Sequence, residues 1–335
     1  MSGQAPQSVR PKFWPRGLFL AKVLLAVVLI WFLVRNEYFD AETFMDALSS
    51  GWPVAAAGGA IFLATFAGAL RWWQLLRVSG CPLPFWATFK ITYLAAFSVT
   101  LLPGVLAGDA VRVAVLAEYF PNDYRQRLPA LGAAVMIDRL LALAGAVAVP
   151  LFACLFLSEI ILANPLLLSL AGSAGLVLLG MVGGAAAALV IGQSGPFTRL
   201  RQRWAERPVL GALDTMISAV FSYRRHVGTL LWTGFLSITV MVLSVYAFWV
   251  LLPPGTLDAA QTAFVAPLGL IVNMLPLTPG GIGVGETAFH RLAVEISGLG
   301  FAFAALFATF RVIIILVHLP ALILLFRPSP GHRPR

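Results

Sequence analysis

Asp109, Arg112, Asp138, Arg139, Glu286 and Arg311 are charges set inside apolar sequence, and they are the residues that could do chemistry. A charge within a membrane-spanning segment costs roughly 2.5–3.5 kcal/mol on insertion scales, so each needs a partner or a task. Asp109 and Arg112 are three apart and can pair on one helix, as can Arg291 and Glu295 at four apart. Asp138 and Arg139 are adjacent. Neighbours on a helix point about 100° apart, so each must find its partner on another element. Glu286 and Arg311 have no local partner, although His290 lies one turn after Glu286. By analogy between the two halves of the chain, Asp109 is expected near Arg139 and Glu286 near Arg311. Two readings follow. The pairs hold the halves together as buried ion pairs, or the arginines are ligands for an anionic head group. A planar guanidinium suits the second because it grips phosphate in two places. Backbone N–H groups at the half-helix start after Gly285 would assist it.

The residues that would position these charges lie in two unusual stretches. Leu275-Pro276-Leu277-Thr278-Pro279-Gly280-Gly281-Ile282-Gly283-Val284-Gly285-Glu286 holds two prolines, four glycines and a carboxylate within apolar sequence. That composition cannot form a regular helix. At membrane depth such a break is tolerated only inside protein or beside a watery cavity, so it reads as the loop of a broken or re-entrant helix. A weaker copy runs Leu101-Leu102-Pro103-Gly104-Val105-Leu106-Ala107-Gly108-Asp109. In both, Pro-Gly is followed by small and apolar residues and then by Gly-Asp or Gly-Glu. The backbone residues that matter are Pro103, Gly104 and Gly108 in one stretch, and Pro279, Gly280, Gly281, Gly283 and Gly285 in the other. Gly281-x-Gly283-x-Gly285 follows no strand and opens no βαβ unit, which excludes a dinucleotide site. No Ser/His/Asp or Cys/His grouping and no metal-ligand spacing of His, Cys and acids emerges. The chain is therefore expected to be no enzyme and to need no metal or cofactor.

The 335 residues are 60% hydrophobic and 11% charged, with mean hydropathy +0.90. Soluble domains carry about 25% charge. The fold class is all-α polytopic membrane protein, a helical bundle with about six full spans plus two broken segments. The net charge of +9 is read as cytoplasmic loops collecting Lys and Arg, not as nucleic-acid binding. Cys81 and Cys154 suggest no disulfide.

A single transmembrane domain is expected over 17–326, between cytoplasmic tails at 1–16 and 327–335. Full spans are read at 17–34, 52–70, 131–156, 166–191, 229–252 and 301–326, each long enough for a core of roughly 30 Å. The broken segments occupy 85–120 and 262–297, and a basic cytoplasmic loop runs over 193–228. Arg71 and Arg77 are read as cytoplasmic flanks, and Trp14, Trp31, Trp52, Trp72, Trp73, Trp232 and Trp249 as interfacial anchors. On this path 16 Lys or Arg are cytoplasmic, Arg35 alone is external, and six lie in apolar segments. The first broken segment then opens from the cytoplasm and the second from outside. Each is followed by a helix with an internal arginine, 30 residues after Asp109 and 25 after Glu286. That order is an inverted-topology repeat, a plan common among secondary transporters.

These residues carry a resemblance. Pro276 to Glu286 looks like the signature of the lysylphosphatidylglycerol synthase transmembrane-region family, also called flippase-like. Leu102-Pro103-Gly104, Gly108-Asp109, Arg112, Asp138-Arg139 and Arg311 fit the same pattern, and the resemblance covers roughly 15–326. It implies a bacterial inner-membrane bundle that moves a lipid between leaflets. Relatives include the flippase half of aminoacyl-phosphatidylglycerol synthases and proteins linked to glycolipid, polyprenyl-lipid or hopanoid pathways. The soluble aminoacyl-transfer domain of the two-part synthases is absent from this sequence, so lysyl transfer is not expected. The leading expectation is a flippase for an anionic phospho-, polyprenyl- or glycolipid. The alternative is an accessory subunit of a lipid-modifying or glycosyl-transfer enzyme, which would dock at 193–228.

Overall fold

A computed structural model describes residues 51–101, 106–191, 221, 223–274, 283–300 and 303–325. Among them the regular structure is helical. The helices are α1 (Trp52–Val78), α2 (Phe85–Leu101), α3 (Leu106–Leu116), α4 (Tyr124–Ala153), α5 (Ser158–Ala163), α6 (Pro165–Ile191), α7 (Val227–Leu251), α8 (Ala259–Asn273), α9 (Val284–Ser297), α10 (Phe303–His318) and α11 (Ala321–Leu325). Trp52–Val78, Tyr124–Ala153, Pro165–Ala186, Val227–Leu251 and Phe303–Ile323 are each long and apolar enough to cross a membrane. They match five of the expected spans. The sixth, 17–34, lies outside the described residues, as do both tails and most of the 193–228 loop.

Two boundaries differ from the sequence reading. α1 runs on past residue 70 to Val78, and α4 begins at Tyr124 rather than 131. The first shift has a clear cause: Arg71 is neutralised inside the protein and does not mark the end of the helix. Pro53 sits in the first turn of α1, where its missing N–H costs nothing. α8 starts on a full capping box, Asp258 accepting from Gln261 N at 2.7 Å while Gln261 Oε1 accepts from Asp258 N at 3.0 Å.

The segments read as broken are hairpins. α2 and α3 pack on each other, and so do α8 and α9. At 1.5 Å per residue, α3, α8 and α9 reach only about 16–23 Å, short of the roughly 30 Å hydrocarbon core. Glycine lets the arms approach. A Cβ on Gly108 would stand 2.6 Å from Val99 Cγ2 and 3.2 Å from the Ala95 carbonyl oxygen; one on Gly269 would stand 3.2 Å from Phe289 Cβ. The tips, with Pro103 and Gly104 in one hairpin and Pro279, Gly280 and Gly281 in the other, lie outside the described residues.

Two buried cores flank the hairpins. Phe248, Phe289, Phe307 and Phe310 join α7, α9 and α10, with Phe248 and Phe310 stacked at 3.9 Å between centroids. Trp72, Leu75, Leu76, Ile91, Leu116, Leu131 and Tyr223 pack around the first hairpin. Trp72 is fully buried, so it is a core residue and not the interfacial anchor expected. Trp52, Trp232 and Trp249 are exposed, as an anchor requires. α6 leaves Leu166, Leu168, Leu176 and Leu179 exposed, a surface suited to lipid.

Candidate functional site

Asp109 lies in the first turn of α3, the second arm of the first hairpin. Arg139 lies midway along α4 and grips it with both prongs: Nε donates to Oδ2 at 2.6 Å and Nη2 to Oδ1 at 2.6 Å. Arg112, one turn after Asp109, approaches the same carboxylate at 3.7 Å and donates from Nη1 to Asp138 Oδ2 at 3.1 Å. Asp138 also accepts from Arg71 Nε at 2.7 Å, and Arg71 Nη1 reaches Ser237 Oγ on α7 at 3.0 Å. Two helices of the bundle, α1 and α4, thus meet the hairpin arm through one continuous ionic group, and α7 joins it through the Ser237 hydroxyl. Adjacency forces this: Asp138 and Arg139 diverge on α4, so Asp138 bridges Arg71 on α1 and Arg112 on α3 while Arg139 takes Asp109.

The group is deeply placed. Side-chain exposure is 8% for Arg71, 3% for Asp138, 14% for Arg112 and 8% for Asp109, while Arg139 keeps 31%. Charges so far from water need good geometry to offset their lost hydration. The bidentate pair and the two-sided clasp on Asp138 supply it.

The second hairpin repeats the device on a smaller scale. Gly283 adopts a positive φ of 85°, ends the break and starts α9. It has no side chain with which to cap the helix, but Glu286 reaches back, its Oε2 accepting from Gly283 N at 2.9 Å. The other oxygen, Oε1, lies 2.8 Å from Arg311 Nη2 on α10. The same Nη2 donates to Asn273 Oδ1 at 2.8 Å, at the end of α8. Arg311 thereby ties both arms of the hairpin together. Gly285 makes room for this, since a Cβ there would stand 2.7 Å from Asn273 Oδ1 and 2.8 Å from Phe307 Cζ.

Both expected pairs, Asp109 with Arg139 and Glu286 with Arg311, are therefore present. Arg71 is the residue that sequence reasoning missed. Its place at the edge of an apolar run beside two tryptophans made it read as an interfacial flank. The signal against that was Asp138, which needed a partner on another element and had none assigned to it. Arg291 and Glu295 do not pair; Glu295 Oε1 accepts from Asn164 Nδ2 at 2.7 Å instead. His318 is buried and bonded to Thr65 and the Ile314 carbonyl, as a bundle histidine would be.

Fold and site together define a polytopic helical membrane protein in which two short hairpins each present an acid to an arginine on the next long helix. The family model of the lysylphosphatidylglycerol synthase TM region matches residues 19–322, and the chain belongs to that family. A comparison with curated proteins gives no match.

Proposed function

We propose that this protein is a lipid transporter of a bacterial plasma membrane, moving an anionic lipid between leaflets, with both termini cytoplasmic. The observation that carries the reading is the repeated device. Each hairpin holds an acid in the first turn of its second arm, and that acid pins an arginine of the following long helix. In an inverted-topology repeat, the two devices would face each other across the bilayer midplane. A head-group phosphate between them would take Arg139 and Arg311 as charge partners, while Asp109 and Glu286 hold those arginines when the site is empty. Arg139, at 31% exposure, is the member a phosphate can reach first. Crossing hydrocarbon unaided costs an ion many kcal/mol. A polar path between the hairpins lowers that cost while the acyl chains stay in lipid. The chemistry suits phospholipids and polyprenyl or glycolipid phosphates alike.

The test is lipid movement in proteoliposomes made with the purified protein and a fluorescent anionic lipid, read with a membrane-impermeant quencher. Wild type should expose inner-leaflet probe. Arg311→Ala and Glu286→Ala should abolish this while inserting and eluting as folded protein. Full movement by Arg311→Ala would overturn the reading, and loss of folding in both variants would favour ion pairs with a purely architectural task. No movement by wild type would favour the accessory-subunit alternative, with its partner at 193–228.

A further inference from the structure

The charges at the first hairpin do not balance. Arg71, Arg112 and Arg139 face only Asp109 and Asp138 among the described residues, which leaves one positive charge over. At the second hairpin, among the described residues, Arg311 is set against Glu286.

A second observation falls at the same spot. Among the described residues, Trp72 Nε1 and Arg112 Nε are buried donors without an acceptor. They are neighbours, because the Arg112 guanidinium lies over the Trp72 ring, 5.4 Å from its centroid. Trp72 is fully buried. Buried N–H groups nearly always have partners, and an unmatched one is costly. Two such donors beside a surplus cation call for one acceptor bearing one negative charge.

We infer that this group, on α1, α3 and α4, binds a monovalent oxyanion through Arg112 Nε and Trp72 Nε1. A phosphodiester fits, and so does a singly charged inorganic phosphate. A phosphomonoester dianion or a pyrophosphate would overshoot the available charge. The site is reached through Arg139, its most exposed member, and Asp109 and Asp138 hold the arginines open around it. The phosphodiester of a transported lipid is one source of the anion, and to that extent the inference narrows the substrate class of the reading above.

The experiment is a binding measurement and does not depend on transport. Purified protein in uncharged detergent is titrated with sodium phosphate against sodium chloride at equal ionic strength, following thermal unfolding. In parallel, phosphatidylcholine nanodiscs are doped with phosphatidylglycerol, a phosphodiester, or phosphatidic acid, a phosphomonoester. Stabilisation by phosphate in detergent identifies a free anion as a ligand; stabilisation by phosphatidylglycerol alone identifies a lipid. Tighter binding of phosphatidic acid than of phosphatidylglycerol would overturn the monovalent class. Trp72→Phe keeps the ring and removes the N–H, and it should weaken the anion about tenfold, the loss of one hydrogen bond to a charged group. If Trp72→Phe instead raises stability without anion and leaves anion affinity unchanged, the donor is merely unmatched and the inference fails. Arg112→Lys keeps the charge and removes Nε, so it should weaken the anion in the same way and decides the matter should Trp72→Phe not fold. Lipid movement blocked by Arg311→Ala with no anion response here would sink this site and leave the transport reading standing.

Discussion

Asp138 is the residue on which the first ionic group depends, because two buried guanidiniums share its carboxylate. Removing one partner of a buried pair leaves an uncompensated charge, at a cost of about 3–5 kcal/mol. Asp138→Ala should therefore cut the unfolding free energy in detergent by about that amount. By contrast, Asp123 and Arg127 at the start of α4 are 39% and 31% exposed, so Asp123→Ala should cost less than about 1 kcal/mol. Denaturant titrations of the two variants check the difference, and equal losses would mean the buried group is not held by charge. Most of this geometry is legible from residue types and spacing. Adjacent opposite charges on a helix cannot serve each other, so Asp138 and Arg139 each announce a partner elsewhere. Arg71 is not legible in that way. Its burial depends on Ser237, 166 residues away, and on where α7 lies against α1.

At the scale of the elements, glycine decides how closely the helices approach. Gly145 on α4 faces the backbone of α7, where a Cβ would stand 2.7 Å from the Ser237 carbonyl oxygen and 2.8 Å from its carbon. Backbone cannot give way as a side chain can. Gly145→Ala should separate α4 from α7, draw Ser237 away from Arg71 and cost about 1–3 kcal/mol. Gly285→Ala meets Asn273 and Phe307 instead, so it should disturb the Arg311 clasp on both arms and reduce lipid movement more than stability. Gly172 on α6 faces open space, and Gly172→Ala serves as the neutral control. Unfolding midpoints and quencher assays on the three variants separate these outcomes; equal effects at Gly172 and Gly285 would refute the account. The hairpins themselves are legible from composition, since Pro-Gly within apolar sequence permits little else. Their inner glycines are harder to rank. Gly108, Gly283 and Gly285 stand in the conspicuous stretches, but Gly145 sits in an ordinary helix, and only the crossing with α7 gives it a role.

The orientation of the whole molecule is read from charge. With Arg71 withdrawn into the protein, fifteen Lys or Arg remain on the side assigned to the cytoplasm, against Arg35 outside. Such a bias sets the orientation of membrane proteins, because short loops rich in Lys and Arg stay inside. The two ends of the first hairpin, near Asn122, should then face the cytoplasm. Those of the second, near Thr256 and Leu299, should face outward. Single cysteines can report this, because Cys81 is buried and Cys154, which is half-buried, can be replaced by serine. Asn122→Cys and Ala205→Cys should react with an impermeant maleimide only after the membrane is opened, and Thr256→Cys should react in intact cells. Leu299→Cys decides the repeat: it is exposed at the end of α9 and belongs with residue 256 if the hairpins enter from opposite faces. Labelling of residues 122 and 299 from one side would remove the inverted repeat, and with it the two gates that alternating access requires. The ion pairs would survive that result, but a phosphate could no longer be handed from one device to the other across the midplane.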